Sequence, residues 1–330
     1  MVDRAEGREA VVKVLVTGAA GLYGVHLVDR LVKRPDIEVV YGVDDFSRNF
    51  FELDPFIASS EHTAKFKLMR GWFQDMSVEM LERLDLDAVV HLAASVSIPE
   101  SMESPNEYFL NNEYATFRFV HTLVKVKQRP VLIYASSPEV YGNPKYTPMD
   151  TEHPLYPRSV YAVTKLASEK HCRAIYEWYD YPVIVIRNFN TFGENQNIWG
   201  YTAVIPMFIH RALRGEPIEI HGDGLQTRDF MYVKNAVGAY EEVISRAREL
   251  SGGIFNIGSG QQLAIRDLAV RVIEMTGSKS ELVSRPSRLA DIFALHADIE
   301  ETLKVLRWKP AYTFEQGLER TIAWYRTFVA

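Results

Sequence analysis

Short apolar runs alternate with longer amphipathic stretches through the first half of the chain. The runs that predict strands are Val11–Thr17, Glu38–Val43, Phe66–Met69, Ala88–Leu92, Pro130–Ala135 and Pro182–Ile186. The stretches that predict helices between them include Leu22–Lys33, Pro105–Val126 and Val160–Tyr179. Because strands that alternate with helices form βαβ units, this order predicts an α/β fold with a doubly wound parallel sheet. Ligands are then expected at the carboxyl ends of the strands.

The pattern becomes shorter and less regular after about residue 190. The predicted elements there are Thr202–Arg214, Ile218–Ile220, Lys234–Glu249, Ile254–Ile257, Ile265–Met275 and Phe314–Thr327. We therefore predict a disordered lead-in over residues 1–10, a first domain over residues 11–190, and a smaller C-terminal α/β lobe over residues 191–330. The boundary between the last two is expected to be interwoven.

Composition excludes several classes of function. The chain has 330 residues and a formal net charge of −6 without a basic block, which argues against nucleic acid and anionic membrane as partners. The single cysteine, Cys172, cannot form an internal disulfide, so we expect a reduced, cytoplasmic setting. No apolar run reaches the roughly 18 residues that a membrane span needs. The nine histidines lack the spacing of a metal site, so we expect no metal.

A glycine-rich turn follows the first predicted strand. Gly18, Gly21 and Gly24 have the spacing that lets a backbone approach a pyrophosphate at a helix N-terminus, as in Rossmann-type folds. Asp44 ends the second predicted strand, where a carboxylate binds the adenosine ribose hydroxyls and repels a 2′-phosphate. The pattern therefore predicts a Rossmann-type domain that binds NAD.

Tyr161 and Lys165 lie four residues apart in a predicted helix, so their side chains share one face. A phenol with its ordinary pKa of about 10 is a poor base at neutral pH. An ammonium one helical turn away favours the phenolate and makes the phenol useful for proton transfer. The pair predicts a catalytic acid–base site.

These motifs together resemble the extended short-chain dehydrogenases, specifically the NAD-dependent nucleotide-sugar epimerases and dehydratases. The segments that carry the resemblance are Gly18–Gly24, His91–Ala94, Ser136–Ser137 before Val140–Gly142, Tyr161 with Lys165, Arg187–Asn190, Gly222–Phe230 and Asn256–Gly260. The resemblance covers the chain from Val11 onward. It implies that NAD stays bound and is recycled, and that the protein is a homodimer paired through the helices within Pro105–Val126 and Val160–Tyr179.

The resemblance also implies roles for individual residues. Tyr161 would take the proton of the sugar C4 hydroxyl while hydride passes from C4 to the nicotinamide, Lys165 would bind the nicotinamide ribose, and Ser137 would hydrogen-bond the C4 oxygen. The implied cofactor contacts are Gly18, Gly21, Leu22, Tyr23, Gly24, Asp44, Asp45, Phe46, Ser47, Trp72, Phe73, Leu92, Ala93, Ala94, Asn112, Ala135, Tyr161, Lys165 and Asn188. The implied substrate contacts are Ser97, Ser137, Asn190, Val204, His221, Arg228, Arg288 and Asp291.

Glu139 leaves the reaction open. The preferred interpretation is C4 epimerisation of a UDP-hexose through a 4-keto intermediate. A 4,6- or 5,6-dehydratase with Glu139 as the base at C5 is the alternative, although Pro138 replaces the aspartic acid that serves 4,6-dehydratases as acid. Glu139 with Arg158, three residues before Tyr161, also resembles glucuronate decarboxylases. A non-catalytic NAD-sensing scaffold is the least favoured alternative, because sensors commonly lose the tyrosine.

Overall fold

The computed structural model describes residues 12–47, 63–198, 203–287 and 292–329. Its strands are β1 (Val12–Thr17), β2 (Ile37–Asp44), β3 (Phe66–Arg70), β4 (Ala88–His91), β5 (Val131–Ser136), β6 (Val183–Asn188), β7 (Asn190–Phe192), β8 (Ile218–His221), β9 (Thr227–Arg228), β10 (Phe230–Tyr232), β11 (Ile254–Ile257), β12 (Leu263–Ala264) and β13 (Leu282–Arg285). Its α-helices are α1 (Leu22–Val32), α2 (Val78–Leu84), α3 (Ile98–Glu103), α4 (Pro105–Tyr108), α5 (Ala115–Leu123), α6 (Val160–Tyr179), α7 (Val204–Arg214), α8 (Val233–Ser245), α9 (Ile265–Thr276), α10 (Glu300–Leu306) and α11 (Phe314–Val329).

Seven strands form one parallel sheet in the order β11-β6-β5-β4-β1-β2-β3. The strand order reverses direction beside β1, which is where a doubly wound sheet opens a crevice for a ligand. Strands β4 and β5 are buried along their whole length, because a parallel sheet is covered by helices on both faces. The predicted Rossmann-type fold is confirmed.

The chain divides into two compact units. The first contains the described residues up to Ser136 together with Ser159–Ile186 and Val237–Ile254, and the second contains Ser137–Arg158, Arg187–Ala236 and the remainder from Phe255. Each unit thus contains several segments of the chain, and the predicted division near residue 190, with its interwoven boundary, stays a prediction. The predicted lead-in over residues 1–10 lies outside the described residues.

Three differences from the sequence-based expectation have physical causes. The predicted helix Pro105–Val126 is interrupted by a π-helical turn at Phe109–Tyr114, between α4 and α5. Ile254–Ile257 was expected within the smaller lobe, but it is the edge strand β11 of the large sheet, next to β6. Several elements were not predicted because they are too short to give a clear periodicity, and the strands among them pair with segments distant in sequence. They are the helices α2, α3 and α10 and the strands β7, β9, β10, β12 and β13.

The second unit contains three two-stranded sheets. Strands β10 and β7 pair in parallel, β12 and β9 pair antiparallel, and β13 and β8 pair in parallel. Because each such pair has only two to four residues per strand, helices must complete its packing. Helix α8, which follows β10 directly, belongs to both units, since the division falls between Ala236 and Val237.

Candidate functional site

The glycine turn of the first unit is shaped by close backbone contacts. Gly18 has a φ of +71°, which a residue with a side chain rarely adopts. A Cβ atom at Gly18 would lie 2.9 Å from the backbone nitrogen of Ala93, and one at Gly24 would lie 2.2 Å from the carbonyl oxygen of Gly18. These glycines therefore allow the turn to pack against the end of β4 and against the first turn of α1.

Helix α1 begins directly after this turn. Its N-cap residue, Gly21, makes no side-chain hydrogen bond to the helix, and the first turn, which includes Leu22 and Tyr23, contains no acidic residue. A helix N-terminus of this kind attracts anions through its backbone N–H groups and its dipole. The turn and the helix together fit the pyrophosphate of a dinucleotide.

Asp44, the last residue of β2, connects the glycine turn to the following loop. Its Oδ2 accepts a hydrogen bond from the backbone N–H of Ala20 at 2.9 Å, and its Oδ1 accepts one from Phe46 at 2.8 Å. Burial raises the pKa of Asp44, and these two backbone donors oppose that effect. Each carboxylate oxygen keeps a second lone pair. Asp44 is thus suited to accept hydrogen bonds from ribose hydroxyls.

The residues around Asp44 surround the position expected for an adenosine. Asp45 Oδ1 accepts a hydrogen bond from the Ser47 hydroxyl at 2.8 Å. The guanidinium of Arg70, which is the register partner of Asp44 on β3, lies over the Phe46 ring at 4.6 Å. Trp72 follows β3 with 46% of its surface exposed. The family that the sequence resembles usually has an aspartate here, near the adenine amine. The indole of Trp72 cannot accept that hydrogen bond, but it offers an apolar surface to the base.

Phe73 was predicted as a cofactor contact, yet its ring is buried in the core of the first unit. The ring centroid lies 4.7 Å from that of His91 and 5.5 Å from that of Phe119. The ring therefore supports the carboxyl ends of the strands from within the core. The predicted contact of Phe73 with a cofactor stays a prediction, and it would be made by the backbone.

A buried polar network that the sequence did not suggest lies beneath the glycine turn. His91 Nδ1 is 2.7 Å from Thr17 Oγ1, and His91 Nε2 is 3.0 Å from Thr116 Oγ1. Thr17 Oγ1 also accepts the backbone N–H of Ala93 at 3.2 Å. Burial lowers the pKa of His91 to about 3, with the Lys165 ammonium adding to the effect, so the imidazole is neutral. Polar residues that end two otherwise apolar strands were the available signal.

Asn112 lies in the π-helical turn, and its side chain binds the loop after β4. Its Oδ1 accepts a hydrogen bond from the backbone N–H of Ser95 at 2.8 Å, and its Nδ2 donates to the carbonyl of Ser95 at 2.8 Å. The backbone carbonyl of Asn112 accepts the hydroxyl of Ser168 at 2.9 Å. Because both amide atoms are engaged, Asn112 positions the loop that follows Leu92, Ala93 and Ala94.

Ser97 caps helix α3 in the same loop. Its Oγ accepts a hydrogen bond from the backbone N–H of Glu100 at 3.2 Å, and its own N–H donates to the Tyr108 hydroxyl at 2.9 Å. Ser97 is 4% exposed. The predicted substrate role of Ser97 stays a prediction; what the structure gives it is the role of an N-cap.

Tyr161 and Lys165 lie on the buried face of α6, as the spacing predicts. Ser159 is the N-cap, and its side chain accepts the backbone N–H of Ala162 at 3.1 Å, which is typically worth about 1 kcal/mol. Helix α6 ends at Asp180, whose φ of +50° breaks the helical path. Tyr161 is 8% exposed and Lys165 is 4% exposed, so the pair is well protected from water.

The Lys165 ammonium lies over the aromatic ring of Tyr134, 4.6 Å from its centroid. Burial lowers the pKa of Lys165 to about 8, and Cys172 and Glu169 oppose that effect. A lysine in this range changes its charge close to neutral pH. Ala135, the next residue on β5 and a predicted cofactor contact, is 8% exposed.

In the second unit, Ser137 and Glu139 form a short 3₁₀ turn with Pro138 as its first residue. Ser137 Oγ accepts the backbone N–H of Glu139 at 3.3 Å, which leaves the hydroxyl proton for donation to another oxygen. Pro138 is buried. The turn ends at Gly142, where a Cβ would lie 2.0 Å from the carbonyl oxygen of Tyr156.

Long-range hydrogen bonds brace this turn. The Tyr141 hydroxyl donates to Asn256 Oδ1 at 2.6 Å and accepts from Arg187 Nη1 at 2.9 Å. Arg187 also donates to the carbonyl of Thr151 at 2.9 Å and is 2% exposed. Asn256 Nδ2 donates to the carbonyl of Met149 at 2.9 Å. The guanidinium thus orders the segment that carries Ser137 and Glu139.

The predicted substrate residues of the second unit have distinct settings. Asn190, the first residue of β7, has a buried Oδ1 atom with no hydrogen-bond partner among the described residues. An acceptor of this kind is expensive to bury unless a ligand donates to it. Asn188 ends β6 and is partly buried. Val204 begins α7, and His221 Nδ1 lies 3.1 Å from the carbonyl oxygen of Pro286.

Arg228 is oriented by the backbone of the second unit. Its Nη1 donates to the carbonyl oxygens of Thr227 at 2.9 Å and Ile292 at 2.8 Å. The next residue, Asp229, is fully buried and accepts a hydrogen bond from the Ser259 hydroxyl at 2.7 Å. Burial raises the pKa of Asp229, and its hydrogen bonds oppose that effect. Arg288 and Asp291, also predicted to bind substrate, lie outside the described residues.

Comparison with known proteins identifies the family of the chain. A family model described as GDP-mannose 4,6 dehydratase matches residues 15–321. The chain belongs to this family. It is 31% identical to the UDP-glucose 4-epimerase of Mycolicibacterium smegmatis over 317 residues, covering 95% of this chain and 98% of the relative. It is also 31% identical to the UDP-N-acetyl-alpha-D-glucosaminuronate decarboxylase of Bacillus cytotoxicus over 334 residues, covering 95% and 98%.

A solved structure of similar fold extends the comparison to a bound cofactor. The UDP-glucuronic acid 4-epimerase of Bacillus cereus, in complex with UDP-glucuronic acid and NAD, has a TM-score of 0.88 and 27% identity, covering 96% of this chain and 99% of that one. The predicted resemblance to the extended short-chain dehydrogenases is confirmed, and so is NAD as the cofactor of this family. The relatives' names include epimerases, dehydratases and decarboxylases, so membership establishes a nucleotide-sugar enzyme without selecting the reaction.

No helix in the described part of the chain combines the length and the apolar character that crossing a membrane requires.

Proposed function

We propose that this protein is an NAD-dependent nucleotide-sugar 4-epimerase that acts on a UDP-hexose. Bound NAD would supply the hydride acceptor and would be regenerated within each turnover. The glycine turn at Gly18–Gly24 would hold its pyrophosphate, and Asp44 would hold the adenosine ribose. The close backbone contacts of Gly18 and the two-point anchoring of Asp44 support this assignment.

Tyr161 would take the proton of the sugar C4 hydroxyl and return it to the C4 oxygen after the 4-keto sugar has rotated in the site. Lys165, as an ammonium, would keep the phenolate form of Tyr161 favourable. Ser137 would donate its hydroxyl proton to the C4 oxygen, which its hydrogen-bonding pattern leaves it able to do. Tyr161→Phe removes the ionisable group and keeps the ring, so turnover should fall by roughly 10²–10⁴ with NAD still bound. Near-normal turnover in this variant would contradict the assignment.

The observation that favours epimerisation over 4,6-dehydration is Pro138. A 4,6-elimination needs an acid for the C6 hydroxyl as well as a base at C5, and proline has no proton to donate. Pro138 is the buried first residue of the turn between Ser137 and Glu139. Epimerisation at C4 needs neither group, because only the C4 hydroxyl proton and the C4 hydrogen move.

Glu139 supports a second candidate, a dehydratase that forms its alkene without the missing acid. A carboxylate two residues after Ser137 could remove the C5 proton of the same sugar. Glu139→Gln keeps size and hydrogen bonding but lacks the base. If Glu139 is that base, the variant should stop after oxidation at C4 and accumulate reduced cofactor. A 4-epimerase should instead lose little turnover in the same variant.

Incubation with a panel of UDP-, dTDP-, GDP- and CDP-sugars, followed by mass analysis of the products, separates the reactions. An unchanged mass with an altered sugar identifies an epimerase, loss of water identifies a dehydratase, and loss of carbon dioxide identifies a decarboxylase. Loss of carbon dioxide would indicate a role for Arg158 in decarboxylation. The Cγ atom of Arg158 lies 3.4 Å from the position that a Cβ atom would have on Gly142, at the end of the turn that contains Glu139. We expect an unchanged mass with a UDP-hexose.

The protein is also proposed to be a homodimer. Apolar side chains are exposed along the π-helical turn, α5 and α6, including Phe109 at 46%, Leu110 at 54%, Tyr114 at 45%, Phe117 at 39% and Val163 at 48%. The π-helical turn, α5 and α6 pack against one another, and apolar side chains exposed on neighbouring elements favour burial against another surface. Light scattering at micromolar concentration should give twice the chain mass, and a mass of one chain would contradict the proposal.

A further inference from the structure

Two side chains of β5 meet two side chains of α6 in the interior of the first unit. Tyr134 and Ser136 are two residues apart on the strand and therefore share a face, and Lys165 and Glu169 are one helical turn apart. The Lys165 ammonium lies over the Tyr134 ring at 4.6 Å. The Ser136 hydroxyl donates to Glu169 Oε2 at 2.8 Å. The strand and the helix are thus joined at two successive points.

Glu169 is a costly residue to place here. It is 0% exposed, and a carboxylate is rarely buried without compensating hydrogen bonds or charge. The buried face of a helix ordinarily carries apolar residues, and a glutamine of the same size would preserve the hydrogen bond from Ser136. A buried charge next to a proton-transfer pair therefore suggests a function for the charge itself.

Lys165 needs an anion if it is to stay protonated. Burial opposes its charge, as described above, and Cys172 and Glu169 act in the other direction. Burial also raises the pKa of Cys172, so that thiol is neutral at neutral pH. Glu169, one helical turn from Lys165, is the carboxyl group of this cluster. In a medium of low dielectric constant, the attraction between opposite charges is much stronger than in water.

We propose that Glu169 is a positioning residue for Tyr161 and Lys165, whose buried carboxylate keeps Lys165 protonated and, through Ser136, fixes the end of the strand that leads to Ser137. The inference rests on the proposed roles of Tyr161 and Lys165. It adds a residue that need not touch substrate or cofactor. Because the ammonium is what favours the phenolate, loss of the Glu169 charge should narrow the pH range of activity from the alkaline side.

The other titratable groups around Lys165 do not supply this charge. His91 on β4 is neutral, since burial lowers its pKa to about 3. Burial raises the pKa of Tyr134 on β5 well above its ordinary value, so this phenol is also neutral. On α6 itself the neighbours are Tyr161, the base that Lys165 serves, and Cys172. The carboxylate of Glu169 is therefore the group whose removal tests the proposal.

The experiment follows the protonation of Lys165 in the NAD-loaded protein by the ¹³Cε chemical shift of labelled lysine. The signal of Lys165 is identified by its absence from the spectrum of Lys165→Met. The titration midpoint should lie near the pKa of about 8 in the unchanged protein. In Glu169→Gln it should fall by roughly one pH unit, and the alkaline limb of kcat/KM should move with it. Glu169→Asp, which keeps the charge, should restore both values toward those of the unchanged protein.

Glu177→Gln is the matched control, because Glu177 is on the same helix with 62% of its side chain exposed. It should leave the Lys165 midpoint and the pH profile unchanged. If Glu169→Gln does not fold, the double variant Ser136→Ala/Glu169→Met takes its place, since replacing both partners of the hydrogen bond with apolar groups leaves neither of them unpaired, and the Lys165 midpoint should fall as in Glu169→Gln.

An unchanged Lys165 midpoint in a folded Glu169→Gln protein, or in Ser136→Ala/Glu169→Met where the former does not fold, would overturn the inference. A lower melting temperature without a change of midpoint would show a structural role alone. The outcome for the proposed function is separate, because active Tyr161→Phe would contradict that proposal without changing the titration of Lys165.

Discussion

The two turns on which the proposed chemistry depends are built in opposite ways. The turn at Gly18–Gly24 is shaped by backbone atoms in close contact, and a Cβ at Gly18 or Gly24 would clash within the turn or with Ala93. The turn at Ser137–Gly142 also has a close backbone contact at Gly142, but it is joined to other segments by side chains, through the hydrogen bonds of Tyr141 to Asn256 and Arg187. The first turn thus depends on the absence of side chains, whereas the second depends on particular side chains that come from distant segments. Substitutions should therefore act on the fold in one turn and on the chemistry or local order in the other.

The largest expected effect tests the backbone contacts of the first turn. Gly24→Ala places a Cβ 2.2 Å from the carbonyl oxygen of Gly18, where no flexible side chain can move aside. We expect a loss of about 3 kcal/mol in the free energy of unfolding, at the upper end of the usual cost of overpacking, together with loss of retained NAD. Urea denaturation and the NAD content of the purified protein measure the two effects.

Gly21→Ala is the control within the same turn, because its Cβ would lie 3.4 Å from the nearest atom, an ordinary contact distance. Its free energy of unfolding should differ little from that of the unchanged protein. Equal stability of the Gly24 and Gly21 variants would show that the turn tolerates a side chain and would remove the contrast between the two turns.

The next effect concerns chemistry in the second turn. Ser137→Ala removes the hydroxyl that is proposed to donate to the C4 oxygen, while the backbone of the turn and the Tyr141 hydrogen bonds remain. Turnover should fall roughly tenfold to a hundredfold, the equivalent of one hydrogen bond to a charged group. NAD content and melting temperature should stay close to those of the unchanged protein. A variant that is fully active would exclude Ser137 from the reaction.

The smallest effect is on local order in the second unit. Tyr141→Phe leaves Asn256 Oδ1 without its donor and Arg187 without one of its acceptors. We expect a loss of about 1 kcal/mol by chemical denaturation, the lower end of the usual cost of leaving a buried polar group without its partner. Tyr146→Phe is the control, since its hydroxyl bonds to Asp150 at an exposed position and should change stability by less than about 0.5 kcal/mol. Equal losses in both variants would show that the network does not brace the turn.

The same contrast explains what could be predicted from sequence. The glycine turn and the shared helix face of Tyr161 and Lys165 could be predicted because local spacing dictates their geometry, and Asp44 could be predicted because the strand pattern locates the end of β2. The hydrogen-bond contacts of His91 with Thr17 and with Thr116 were not predicted, because these residues lie 74 and 25 positions from His91 in the chain. Likewise, the assignment of Ile254–Ile257 to the large sheet depends on its pairing with β6, which no local pattern reports.

Asn235 stands where the family that the sequence resembles commonly has an aspartate, and the fold explains why an asparagine suits this chain. Its Oδ1 accepts the backbone N–H groups of Ala311 at 2.8 Å and Tyr312 at 3.0 Å, and its Nδ2 donates to the carbonyl of Tyr312 at 2.8 Å. An aspartate could accept both N–H groups but could not donate to that carbonyl. The amide is therefore suited to this backbone in a way that sequence alone could not reveal.

The π-helical turn at Phe109–Tyr114 makes the length of this segment as important as its composition. It contains one residue more than a regular helix would need, so the two flanking helices are out of phase. Deleting a single residue here would allow one continuous helix and rotate α5 by about 100° relative to α4. The rotation would turn Phe119 and Leu123 out of the core. A deletion of one residue within this turn is therefore expected to change the helix packing, whereas a substitution at an exposed position leaves the two helices in the same phase.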